Sequence, residues 1–134
     1  MVTTAVEKII DKIDQVLRPV ESIAYAFLFG SALQRLLPQS DIDILIGGKL
    51  DFNQKLLLTA ELSSNLSRNT DLIVVSEAQC ELVLKAMSQG VLIFERNRET
   101  LKQDYIRNWR CFDDNTSLRR IRFARIQQEY AYGR

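Results

Sequence analysis

One stretch constrains this chain more than any other. It is an apolar run Phe27-Leu28-Phe29, a Gly30-Ser31 pair, nine further residues, and then Asp41-Ile42-Asp43-Ile44-Leu45-Ile46. The pattern reads as strand, tight turn, short connection and second strand. Successive strand side chains point to opposite faces, so Asp41 and Asp43 share one face while Ile42 and Ile44 take the other. Two carboxylates side by side repel, and burying them uncompensated costs on the order of several kcal/mol. A hard divalent cation removes that cost, because it prefers carboxylate oxygens and brings its own charge. The small Gly30-Ser31 turn lets backbone N–H groups approach an anion closely. An anion site beside a cation site points to nucleotide chemistry.

The flanking sequence supplies the other layers. Thr4-x-x-Glu7 has the form of a capping box, and Val6, Ile9, Ile10, Ile13 and Leu17 recur at helical spacing, which predicts a helix over 4–18 that Pro19 ends. Residues 22–29 predict a buried strand. A short helix over 31–37 follows, its first turn offering free N–H groups to a phosphate, and Pro38 closes it. The second strand covers 41–46, and Gly47-Gly48 makes a turn. Asp51-x-x-Gln54 caps a helix to about 68 that carries Leu56, Leu57, Ala60, Leu62 and Leu66. A third strand covers 71–75, a helix capped by Ser76-x-x-Gln79 runs to about 88, and 90–94 is a last strand. The alternation predicts an α/β sandwich around a mixed sheet, with flanking helices.

Residues 97–112 predict a further helix, with Leu101, Tyr105, Trp109 and Phe112 on one side. Asp113-Asp114-Asn115-Thr116-Ser117 reads as a break, and 117–131 as a final helix. We therefore divide the chain into a body, 1–96, and a helical C-terminal extension, 97–134. Over the whole chain the formal charge is only +1, so no global field draws it to nucleic acid or membrane. Residues 101–134 nevertheless carry +4 and the remainder −3, so a basic tail follows a mildly acidic body, which hints at a partner for the tail.

Cys80 and Cys111 form no CxxC pattern, and the chain has no histidine, which argues against zinc. Each cysteine reads as a small buried hydrophobe. Free thiols and the lack of a signal peptide predict a cytoplasmic setting. No apolar run reaches the ~18 residues needed to span a bilayer.

Gly30-Ser31 followed by Asp41-x-Asp43 on a strand resembles the nucleotidyltransferase superfamily that includes DNA polymerase beta. The chain's size is similar to that of the minimal nucleotidyltransferases, MNT. That family adds a third carboxylate at the start of a later strand, and Thr70-Asp71-Leu72-Ile73-Val74-Val75 fits. The resemblance covers roughly residues 20–95 and implies a nucleotidyltransferase-like mixed sheet. It implies that Asp41, Asp43 and Asp71 hold Mg²⁺ or Mn²⁺ against ATP, that Asp71 helps activate an attacking hydroxyl, and that Gly30 and Ser31 cradle the phosphates. Free-standing proteins of this kind are often encoded with a HEPN toxin, and the chain resembles the antitoxins that transfer AMP to a tyrosine of that toxin.

Other readings stay open on the residues alone. The chain can instead neutralise such a partner by occlusion, or modify a small molecule. A homo- or hetero-oligomer is compatible with the tail, and direct nucleic-acid binding is disfavoured. Ser40 either supports the aspartates or caps the turn. Arg35 either reaches a phosphate or is a surface cation. The Arg119, Arg122 and Arg125 row is either a solvated face or a contact for a partner or RNA. Trp109 reads as a packing residue.

Overall fold

The computed structural model describes the backbone of residues 3–132, and side chains through Thr116 together with Arg120. The expectations placed on Arg119, Arg122 and Arg125 lie outside the described side chains.

In chain order the elements are α1 (Thr4–Leu17), β1 (Ile23–Phe29), α2 (Ser31–Gln34), β2 (Ile42–Gly48), α3 (Phe52–Leu66), β3 (Thr70–Val74), α4 (Cys80–Gln89), β4 (Val91–Glu95) and α5 (Arg98–Tyr132), with a 3₁₀ turn at Val75–Glu77. The four strands form one mixed sheet in the order β3-β2-β1-β4. β1 is antiparallel to both β2 and β4, and β2 is parallel to β3.

Strand alternation divides the core in two. Ala26, Leu28, Ile42, Ile44, Ile46 and Leu72 face α1 and α3, whose Ile9, Ile13, Leu17, Leu58 and Leu62 cover them. Tyr25, Phe27, Phe29 and Leu45 face the other way, against Val83 and Ala86 of α4 and Leu101 of α5. A two-against-one irregularity at Ile23/Tyr25 lets Ile23 join the first layer although Tyr25 belongs to the second. The expected α/β architecture with a mixed sheet and flanking helices is what forms.

Several local expectations change. Thr3 rather than Thr4 caps α1, accepting from the Val6 N–H at 3.3 Å. The capping box of Asp51 and Gln54 forms as expected, but Ser76 does not start α4. Residues 75–77 take a 3₁₀ turn, and α4 begins at Cys80 with no side-chain cap on Gln79. α2 stops after one turn because the Leu37 N–H donates to the Ser40 hydroxyl at 2.8 Å, a local bond that competes with helix continuation. In α3 the buried face is Leu58, Leu62 and Leu66, while Leu56 and Leu57 are exposed. A run of three leucines at 56–58 left the helical phase ambiguous, and the four-residue spacing from Leu58 decides it.

The break at 113–117 is absent, for α5 runs unbroken through it. That stretch holds weak helix formers but no glycine or proline, and a helix already propagating crosses such residues at small cost. Asn115 also points its amide at the sulfurs of Cys80 and Cys111, at 3.6 and 3.7 Å. The two cysteines are joined as a disulfide, their Cα atoms 6.1 Å apart, which corrects the expectation of free thiols and removes that argument for a reducing compartment. Among the described residues no helix is long and apolar enough to cross a membrane.

Candidate active site

The topology brings the singled-out residues to one edge of the sheet. β1 runs towards that edge, while β2 and β3 start from it. Phe29 therefore pairs with Asp43, and Asp43 stands beside Asp71 in the parallel register. Asp41 lies just before β2. By alternation all three carboxylates fall on the Tyr25–Leu45 side of the sheet, opposite Ile42, Ile44 and Leu72.

Gly30 closes the arrangement. Its φ of +93° lies in the region that L side chains rarely adopt. A Cβ there would collide with Oδ2 of Asp43 and lie 3.3 Å from its Cγ. The missing side chain is thus the space that the Asp43 carboxylate occupies.

Asp43 is half-buried, whereas Asp41 and Asp71 are exposed. Burial pushes the Asp43 carboxyl above its ordinary value, and the negative charges of Asp71 and then Asp41 push it further. Asp43 therefore feels both neighbouring carboxylates across the strand ends. Among the described residues no group of three or more acidic or cysteine side chains is placed to hold a metal ion together. An open, all-oxygen set suits Mg²⁺, which is usually held by one or two carboxylates with water and substrate phosphate filling its remaining positions. The donor chemistry fits such an ion.

A cavity of about 330 Å³ lies next to this edge, lined by Gly30, Ser31 and Gln34 on one side and Leu82, Lys85 and Gln89 of α4 on the other. The expected N–H donors of a longer helix reduce to the single turn of α2. Arg35 is exposed and outside that cavity. Ser40 caps the turn: its hydroxyl accepts from Leu37 and donates to the Arg35 carbonyl at 3.4 Å.

Two features carried no readable signal. Arg68, just after α3, donates from Nη1 to the carbonyls of Leu37, Pro38 and Ser40, the last two at 3.3 Å. One guanidinium thus gathers the loop that delivers Asp41. The sequence held no cue beyond an arginine near a helix end. The second feature is the inner face of α5. Asp104 and Asn108 turn toward the sheet and are buried, and the Tyr25 hydroxyl donates to Asp104 at 2.8 Å. Leu101 joins them, but Tyr105 and Trp109 lie 41% and 47% exposed, so Trp109 is no core residue. Its indole N–H donates to the Tyr105 hydroxyl at 2.8 Å, and its ring meets Phe112 edge-on. The helix is rotated from its expected phase because a buried tyrosine hydroxyl needs a partner.

Fold and strand-edge carboxylates together define a nucleotidyltransferase, and the Polymerase beta nucleotidyltransferase family matches residues 11–99; the chain belongs to that family. Among solved structures, the fold is that of MNT antitoxins. A toxin–antitoxin complex with AMP-PNP superposes with a TM-score of 0.73 at 22% identity, covering 88% of this chain and 98% of that one. The tri-AMPylated HEPN toxin of Shewanella oneidensis in complex with its MNT antitoxin gives 0.72 at 21%, covering 90% and 98%. An MntA–HepT toxin–antitoxin structure gives 0.70 at 19%, again covering 90% and 98%. No curated protein matches the chain in sequence.

Proposed function

We propose that this chain is an antitoxin that transfers AMP from ATP to a hydroxyl of a HEPN-type toxin, that of a tyrosine side chain. The observation that carries the reading is Gly30 folded against Asp43 with Asp71 beside it. A fold shared with antitoxins that were captured with a HEPN toxin, and in one case with AMP-PNP, supports it.

Asp41 and Asp43 would hold Mg²⁺ or Mn²⁺, and such an ion would supply neutralisation of the charge on the α-phosphate and the departing pyrophosphate. Gly30 and Ser31 seat the phosphates by backbone N–H and hydroxyl. Asp71, exposed at the start of β3, faces the acceptor and takes its hydroxyl proton. The acceptor oxygen then forms the new bond to the α-phosphorus as the bond to pyrophosphate breaks. Asp71 also completes the carboxylate set, so a single cluster both binds and activates. This chemistry belongs in the cytoplasm, where ATP and a toxin's ribonuclease target are found together.

The exposed Tyr105 and Trp109 on α5 favour a second contribution, in which this ridge docks on the toxin and occludes it, since aromatics dominate interface energetics. The test is the intact mass of a co-expressed HEPN partner. Steps of one AMP with wild type, and none with Asp41→Asn/Asp43→Asn, are expected. Neutralisation by the double variant without any mass change would transfer the function to occlusion.

A further inference from the structure

We propose that Lys85 holds the terminal phosphates of the nucleotide, so that α4 reads the length of the phosphate chain. The inference rests on the nucleotidyltransferase reading above and adds a residue to it. Gly30 borders two regions at once. Its open Cα face receives the Asp43 carboxylate, and with Ser31 it lines the cavity of about 330 Å³ that α4 walls on the other side. A phosphate chain whose reacting end lies at Asp43 has that cavity as its continuation past Gly30 and Ser31.

The charge distribution argues for what enters. At the reacting end Asp41, Asp43 and Asp71 are all acidic and lie together at the strand ends, so no side chain of that cluster draws in the outer phosphates. Among the residues lining the cavity Lys85 alone is charged, and it is positive. Ser31, Gln34 and Gln89 add neutral donors. Lys85 is exposed, so its ammonium pays no burial cost while the cavity is empty, and its flexible stem lets it follow a phosphate as a point charge. An adenosine monophosphate ends before this cavity; a triphosphate, or the pyrophosphate released from it, fills it. Lys85 therefore distinguishes a nucleotide that carries β- and γ-phosphates from one that does not.

Titration calorimetry on the full chain tests this, with Mg-ATP, Mg-pyrophosphate and AMP as probes of wild type, Lys85→Ala and Lys85→Arg. Loss of one charge-assisted contact should weaken Mg-ATP and Mg-pyrophosphate about tenfold in Lys85→Ala. Lys85→Arg should stay within about threefold of wild type, and AMP should bind all three alike. Circular dichroism should be unchanged, as expected for an exposed position. Equal Mg-ATP affinity in wild type and Lys85→Ala overturns the assignment, and so does a parallel loss for AMP. Wild type that binds no Mg-ATP at all overturns the nucleotidyltransferase reading itself.

Discussion

Replacing Tyr25 and Asp104, singly and together, measures how firmly α5 is bound to the sheet. Tyr25 is fully buried, Asp104 is 8% exposed, and the hydroxyl donates to the carboxylate at 2.8 Å. The only other side-chain partner of that carboxylate among the described residues is Arg107 at 3.4 Å. A hydrogen bond to a charged group contributes about 1.5–3 kcal/mol, and an orphaned buried donor costs about 1–3 kcal/mol. Asp104→Ala strands the Tyr25 hydroxyl and should cost about 2–4 kcal/mol. Tyr25→Phe leaves the carboxylate to Arg107 and should cost about 1.5–3 kcal/mol. The double variant should cost less than the sum, with a coupling of about 1–2 kcal/mol, because the second change removes a group already without a partner. Urea unfolding followed by Trp109, the single tryptophan, reads all three. Burial, then the Asp104 hydrogen bond, holds the Tyr25 pKa well above its ordinary value. The native state thus keeps a proton that the unfolded chain loses near pH 10, so stability falls as pH rises past that point. Tyr25→Phe should remove this share of the alkaline slope. Additive single costs, or an Asp104→Ala within about 0.5 kcal/mol of wild type, would refute the buried link.

Three further outcomes follow from the site and the disulfide. Asp43→Asn should stabilise the ligand-free protein at neutral pH while ending nucleotide transfer; because the native Asp43 pKa is raised, wild-type stability falls as pH climbs from the unfolded carboxyl value through the native one, and thermal melts across pH 3–8 should show that slope lost in the variant. Gly30→Ala, which needs an unfavourable φ and meets Asp43, should cost about 1–3 kcal/mol and weaken Mg-ATP binding, read by melting temperature with and without the nucleotide. Reduction of Cys80–Cys111, which closes a separation of 31 residues, should cost about 3–4 kcal/mol by the chain-entropy argument, visible as a lower urea midpoint in reductant.

What the sequence made legible is what local periodicity encodes. A two-residue period placed Asp41 with Asp43 and apart from Ile42 and Ile44, and the structure keeps that separation. Gly30 stood out because a turn needed it, although its second use, making room for a carboxylate, is visible only across strands. The missed features join residues distant in the chain. Tyr25 meets Asp104 at a separation of 79, Arg68 meets Leu37 at 31, and Cys80 meets Cys111 at 31. Apolar periodicity misphased α5 because it rewards aromatic spacing and cannot weigh the hydrogen bond that a buried hydroxyl requires.

These long-range links bear on the division drawn at residue 96. The family match ends at 99, yet a chain cut after Glu99 would lose Asp104, Asn108 and the partner of Cys80 together. Tyr25 lies in β1, the strand that ends in Phe29 just before Gly30. Its hydroxyl would then be buried without an acceptor in the strand that carries the site, and the apolar surface of Phe27 and Leu45 would lose part of its cover. The first turns of α5 are therefore a structural layer of the body, and the same helix offers Tyr105 and Trp109 outward. A truncation meant to separate docking from catalysis has to fall beyond Cys111, where only the later turns of α5 are removed. Cut there, the protein should keep its melting temperature within a few degrees and its response to Mg-ATP. A collapse of either would show that the later turns also belong to the fold.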